Sequence, residues 1–130
     1  MATLTAAQRR QQDRAAYDAF LAACPARKVL ERISDKWVTL VLAALGDGPK
    51  RYRDLTRIIA GASQKMLTQT LRALERDGLV ARTVTAEVPV RVDYELTELG
   101  RSLHAVVRQL KDWAECHIAE IEQARTAYDS

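Results

Sequence analysis

The sequence predicts a mainly α-helical fold that carries one small β-hairpin. Three observations lead there. Apolar residues recur at helical spacing along most of the 130 residues. One stretch alone, "LVARTVTAEVPVRVDYEL", changes to β-branched residues with a period of two. Just before it stand two short helical segments joined by a tight "AGA" turn. Helix, turn, helix and hairpin in that order is the layout of a winged helix-turn-helix domain.

The elements follow in chain order. Thr5 to Ala22 is rich in Ala, Gln and Arg, with Tyr17, Phe20 and Leu21 toward its end, and reads as a helix. Residues 1–23 therefore form an N-terminal helical extension. "CPARKVLERIS" restarts the helix, because Pro25 suits a first helical position where its missing N–H has no partner to lose. Val29, Leu30 and Ile33 give its inward stripe. In "DKWVTLVLAALGDGPK" Asp35 suits a cap, and Trp37, Leu40, Val41, Ala44 and Leu45 mark a buried face up to the Gly-Asp-Gly-Pro stop. "RYRDLTRIIAG" reads as a short helix opened by Arg51 and Arg53, with Tyr52, Leu55, Ile58 and Ile59 inward and Gly61 at its end. Ser63 then caps "SQKMLTQTLRALERDGL", whose Leu67, Leu71 and Leu74 fall at i, i+4 and i+7, and Gly78 ends it. The hairpin turns at Glu87-Val88-Pro89. Thr97 caps a final helix running from about Glu98 to about Arg125, so the domain spans residues 24–97 and a long C-terminal helix residues 98–130.

The second helix of the motif is polar on one side in an uncommon way. Gln64, Lys65, Thr68, Gln69 and Arg72 share that side without an acid among them; Glu75 and Asp77 come only at its end. In a helix-turn-helix this helix lies in the major groove. Its inner stripe must be apolar to hold it, and its outer face must offer groups that meet base edges and phosphates. Gln pairs with adenine, Arg with guanine, and Thr meets either or a thymine methyl, whereas acids repel phosphate. Ser63, Gln64, Lys65, Thr68, Gln69 and Arg72 are thus the expected contacts to double-stranded DNA. Arg51 and Arg53 are expected phosphate positioners. Arg91, just past the hairpin tip, has two open readings: insertion into a narrow minor groove, or a cross-strand ion pair. Glu87 at the same tip would face phosphates, or else pair with an arginine of the hairpin.

Charge agrees with this. The chain carries a net +3. Residues 50–91 hold nine Lys/Arg against four Asp/Glu, while residues 92–130 hold four against eight. A basic middle between less basic flanks suits a polyanionic partner, as it also suits a solvated surface. No apolar run reaches the roughly 18 residues needed to span a bilayer. The N-terminus lacks the apolar core of a secretory signal, so a cytoplasmic location without membrane contact is expected. Enzyme signatures are missing: no glycine-rich phosphate loop, no nucleophile elbow and no clustered His/Cys/carboxylate set. Cys24, His104, Cys116 and His117 lack metal-ligand spacing, so neither a metal nor another cofactor is expected.

The final helix argues for a dimer. At 1.5 Å per residue, a helix of about 28 residues is about 42 Å long. A compact 130-residue chain has a radius of gyration of only ~14 Å. The helix should project beyond the domain with its stripe of Leu99, Leu103, Val106, Leu110 and Trp113, continued by Ile118 and Ile121, still apolar. A second copy is the natural cover, joined by Tyr17, Phe20 and Leu21 of the first helix; the alternative is a helix folded back on its own domain. On this reading the terminal helices are dimerisation helices.

From Cys24 to about Leu103 the sequence resembles the HxlR family of bacterial winged-helix regulators, neighbours of the MarR-type regulators. "CPARKVLERISDKWVTLVLAAL", "GPKRYRDLTRII", "SQKMLTQTLRALERDGLVART" and "EVPVRVDYELTELGRSL" carry the resemblance. It implies a homodimeric transcription factor that binds pseudo-palindromic operators through two-fold symmetry. Val90 departs from a second proline frequent in the family, and Thr85-Ala86 from a frequent Tyr-Pro. Cys24 falls where many members carry a cysteine, through which several respond to oxidants or electrophiles. Its position at a helix start beside Arg27 and Lys28 is the positive setting that makes a thiol reactive; it equally suits a small buried side chain. Cys116, near the expected dimer seam, suits a cross-link or, more simply, a packed side chain. The expectation is a DNA-binding regulator, a repressor, tuned by an electrophile at Cys24 or by a reversibly bound small ligand. The rival is a winged helix that binds proteins and not DNA, which acids on the recognition face would have favoured.

Overall fold

A computed structural model describes residues 3–130. The chain forms two compact units, one ending at Lys36 and the other running from Trp37 to Ser130.

The first unit holds two helices, α1 (Ala6–Ala23) and α2 (Pro25–Ile33). A capping box starts α1: the Thr5 hydroxyl accepts from the Gln8 N–H, and the Gln8 side chain accepts from the Thr5 N–H. Cys24 both ends α1 and precedes α2, with Pro25 at the first helical position as expected. No residue of either helix is buried. The stripe expected to face inward on α2 is therefore largely open: Val29 and Leu30 are 43% and 58% exposed, and only Ile33 is half-buried.

The second unit contains α3 (Lys36–Leu45, its first residue shared with the first unit), β1 (Lys50–Arg51), α4 (Tyr52–Ile58), α5 (Gln64–Arg76), β2 (Val80–Thr85), β3 (Arg91–Leu96) and α6 (Glu98–Asp129). Beside the hairpin β2–β3 lies a third strand that the sequence pattern did not reveal. The antiparallel order is β1-β3-β2, with Lys50 opposite Tyr94 and Arg51 opposite Asp93. Arg51 is thus an edge-strand residue as well as the N-cap of α4; two strand residues with no alternation of their own carry no period to read. The fold is a winged helix-turn-helix.

Its core is built from Val38, Val41, Leu42 and Leu45 of α3, Leu55 and Ile59 around α4, Leu67, Leu71 and Leu74 of α5, and Leu79, Val80, Tyr94 and Leu96 of the sheet region. Two expected core residues point outward instead. Leu40 is 44% exposed and Ile58 54% exposed. In "WVTLVLAAL" Thr39 alone is polar, so period could not phase α3; the buried line runs through Val38 and Leu42. Ile58 is the last helical residue of α4, and the chain leaves the helix at Ile59, which turns into the core.

The exit from α5 is tightly specified. Gly78 has a φ of 75°, its N–H bonds the Glu75 carbonyl at 3.0 Å, and the Leu79 N–H bonds the Leu74 carbonyl at 3.0 Å. This paired closure needs a left-handed residue, which glycine supplies without a Cβ clash. The Thr97 N–H then bonds the Leu79 carbonyl at 3.0 Å, and the Thr97 hydroxyl donates to the Gly78 carbonyl at 2.6 Å while accepting from the Gly100 N–H at 3.0 Å. One junction therefore fixes the end of α5, the start of β2 and the start of α6.

Candidate nucleic-acid interface

The outer face of α5 is held out to solvent by its inner one. Leu67, Leu71 and Leu74 are each 1% exposed. Full burial of a leucine contributes about 1.5–3 kcal/mol, so three of them fix the rotation of the helix about its axis. Ser63 caps the N-terminus, its hydroxyl accepting from the Met66 N–H at 3.1 Å. No acid lies in the first turn. Gln64, Lys65, Gln69 and Arg72 are exposed, and among the described residues none of their side chains makes an ion pair or side-chain hydrogen bond. Such groups meet a ligand without first breaking an internal contact.

Thr68 stands apart from these four. It is half-buried, and its hydroxyl lies 3.1 Å from that of Tyr52, the first residue of α4. The Tyr52 hydroxyl also approaches the Gln64 carbonyl at 3.5 Å. Tyr52 was legible as a core residue, but its polar tip was not. It links the first turn of α5 to the helix before it.

Arg76 is a face residue that sequence reasoning missed. It is exposed and lies one helical turn beyond Arg72 on the same side. The i, i+4 spacing was the available signal; the neighbouring Glu75 and Asp77 masked it.

On the wing, Arg91 is not a free tip residue. Its Nε donates to Asp93 Oδ2 at 2.8 Å, two positions along the same strand. This hydrogen bond raises the Arg91 pKa above the ordinary arginine value; burial opposes the rise, and the charges of Asp93, Glu87 and Asp54 add to it. The pair runs along the strand and not across it, and Glu87 takes no direct ion pair with Arg91. Arg51 is half-buried on β1 and Arg53 exposed in the first turn of α4. A cleft of about 300 Å³ lies between them and the wing tip.

The remaining expected residues are elsewhere. Cys24 is half-buried and Cys116 exposed, both free thiols. Tyr17 and Phe20 are 62% and 67% exposed, and Leu21 is half-buried. Along α6, Val106, Leu110, Trp113, Ile118 and Ile121 are 42–58% exposed, whereas Leu103 packs partly against the core. The Trp113 and His117 rings stack at 4.5 Å, and His117 Nδ1 lies 2.8 Å from the Trp113 carbonyl oxygen. Among the described residues no group of three His, Cys, Asp or Glu side chains is placed to hold a metal ion, and no helix is long and apolar enough to cross a membrane.

Comparison with known proteins agrees with this geometry. Residues 32–122 match the model of the HxlR-like helix-turn-helix family. The chain is 42% identical over 106 residues to the uncharacterised HTH-type transcriptional regulator YtfH of Escherichia coli, covering 82% of this chain and 84% of that one. Among solved structures, the redox regulator HypR in its reduced form superposes with a TM-score of 0.73 at 40% identity, covering 77% of this chain and 99% of that one. The reduced form of the transcriptional regulator YodB from Bacillus subtilis superposes at 0.64 with 40% identity, covering 71% and 91%. The chain therefore belongs to the HxlR-like helix-turn-helix family of transcriptional regulators.

Proposed function

We propose that the protein is a homodimeric repressor that reads a two-fold symmetric operator through α5 and releases it when Cys24 is oxidised or alkylated. The single observation that carries the DNA reading is the exposed, acid-free and uncommitted face of Gln64, Lys65, Gln69 and Arg72 on a leucine-anchored helix. Residues 24–97 are the DNA-binding part. The exposed apolar stripe of α6, with Tyr17, Phe20 and Leu21, forms the seam with a second copy in the cytoplasm. Cys24 supports the sensing role by standing between two helices that bury nothing, so a change at its sulfur acts where little packing resists it. HypR is named a redox regulator, and YodB has been crystallised after diamide treatment.

The test is binding to operator and to random duplex over a salt series. Arg72→Ala is expected to weaken operator binding by about 1–3 kcal/mol while leaving random duplex nearly unchanged. Lys65→Ala is expected to weaken both, with the salt slope smaller by about one. Unchanged operator affinity in both variants would exclude the groove assignment.

A further inference from the structure

Arg91 opens β3 immediately after the wing tip, where a minor-groove probe would be placed. Its side chain does not continue outward. Asp93 lies two residues toward the base of the strand, about 6.7 Å back from the tip at strand rise, and holds the Arg91 Nε at 2.8 Å. The guanidinium is thereby folded along the sheet. Asp93 is also the register partner of Arg51 on β1, so the two side chains leave the sheet on the same face, although among the described residues only Arg91 pairs with the carboxylate. The two arginines, though not Asp93, border the cleft already described, which Arg51, Tyr52 and Arg53 line together with Glu87, Pro89 and Arg91 of the wing.

We infer that this cleft seats a DNA backbone phosphate, held by Arg51, Arg53 and Arg91, and that Asp93 is the positioning residue that turns Arg91 toward the phosphate and away from the minor groove. The inference rests on the DNA-binding reading and specifies what the wing touches. The charges of Asp93, Glu87 and Asp54 all reach Arg91. Asp54 is paired with Arg57 at 3.8 Å, so Arg51, Arg53 and Arg91 against Asp93 and Glu87 leave a net positive charge for one anionic group. Neither Arg51 nor Arg53 forms an ion pair among the described residues. Arg91 spends only Nε on Asp93, so its terminal nitrogens keep donors for a phosphate oxygen, and a guanidinium already fixed by a carboxylate loses less freedom on binding. A minor-groove arginine must instead extend from the tip into a groove about 6 Å wide; doing so would break the Asp93 contact.

The test uses the full chain and short alternating duplexes of dA·dT, dI·dC and dG·dC. The first two share a minor groove without the guanine amino group, whereas all three share the phosphate backbone. Arg91→Ala should weaken binding to all three by a common factor, with the salt slope smaller by about one. Asp93→Asn should release Arg91 and create a several-fold preference for dA·dT and dI·dC over dG·dC; adding Arg91→Ala should erase that preference. A merely structural Asp93 would move all three duplexes together. A wild-type preference for dA·dT and dI·dC that Arg91→Ala removes would overturn the phosphate seat. An unchanged ranking in Asp93→Asn would overturn the role of Asp93. If the wild-type chain bound none of the duplexes in a salt-dependent way, the DNA-binding reading itself would fail, an outcome separate from both.

Discussion

The hydroxyls of Tyr52 and Thr68 lie 3.1 Å apart and join the first residue of α4 to the second turn of α5. Both groups are partly removed from water, so each satisfies the other's hydrogen-bonding need. A threonine committed in this way orients the helix; under the proposed function Gln64, Lys65, Gln69 and Arg72 are the groups with free side chains to offer DNA. A double-mutant cycle with Tyr52→Phe and Thr68→Val should give a coupling energy of about 0.5–1.5 kcal/mol in urea unfolding, the range of a neutral hydrogen bond. Additive effects of the two changes would show that the contact does not hold the helices together.

Gly100 sits in the first turn of α6, fully buried against the backbone of Leu79. A Cβ there would collide with the Leu79 carbonyl oxygen, the same group that accepts from the Thr97 N–H. Helix propensity favours Gly→Ala by about 1 kcal/mol. Backbone contact opposes it, and unlike a flexible side chain it cannot move away, so overpacking of about 1–3 kcal/mol should dominate. Gly100→Ala is expected to lower the unfolding midpoint. A raised midpoint would mean that α6 shifts away from the sheet at no cost.

Much of this molecule was legible from its pattern. The leucine stripe of α5, the caps Ser63 and Thr97, Pro25 at its helix start and the two hairpin strands are all local signals, and local signals survive into the fold. What escaped was non-local. Strand β1 exists only because Lys50 and Arg51 meet Tyr94 and Asp93 across more than 40 positions. The Arg91–Asp93 contact depends on how the strand pleat places both side chains on one face, a feature that two sequence readings, probe or cross-strand pair, both missed. The inner line of α3 could not be chosen in a segment where Thr39 is the one polar residue between Trp37 and Leu45. The face of α5 was clear because its polar and apolar residues separate cleanly; the Tyr52 hydroxyl that anchors it was hidden in a residue counted only as apolar.

Cys24 offers a direct check of the sensing proposal. Diamide should reduce operator binding by the wild-type chain, and Cys24→Ser should abolish that response. Serine is itself a good residue before a helix, so the variant should keep its fold and its basal DNA affinity. Cys116→Ser should respond as the wild type does, because that thiol lies on α6 and not at a helix junction. Retained diamide sensitivity in Cys24→Ser would exclude Cys24 as the sensor.

The dimer proposal turns on α6. With 32 residues it is about 48 Å long at 1.5 Å per residue, and the stripe of Val106, Leu110 and Trp113 is more than half exposed at each position. Water-exposed apolar side chains in line along such a helix gain from a cover, and a copy with the same stripe provides one by symmetry. Full burial of a leucine or larger side chain contributes about 1.5–3 kcal/mol. Leu110→Glu combined with Trp113→Glu removes two such contributions and also buries charge, so dimer dissociation should become easier by on the order of 100-fold or more. Light scattering across a concentration series should then report monomers where the wild type is dimeric, while the core around Leu42, Leu67 and Leu71, to which neither residue belongs, keeps the domain folded. If the double variant stays dimeric at the same concentrations, the seam does not run along this stripe.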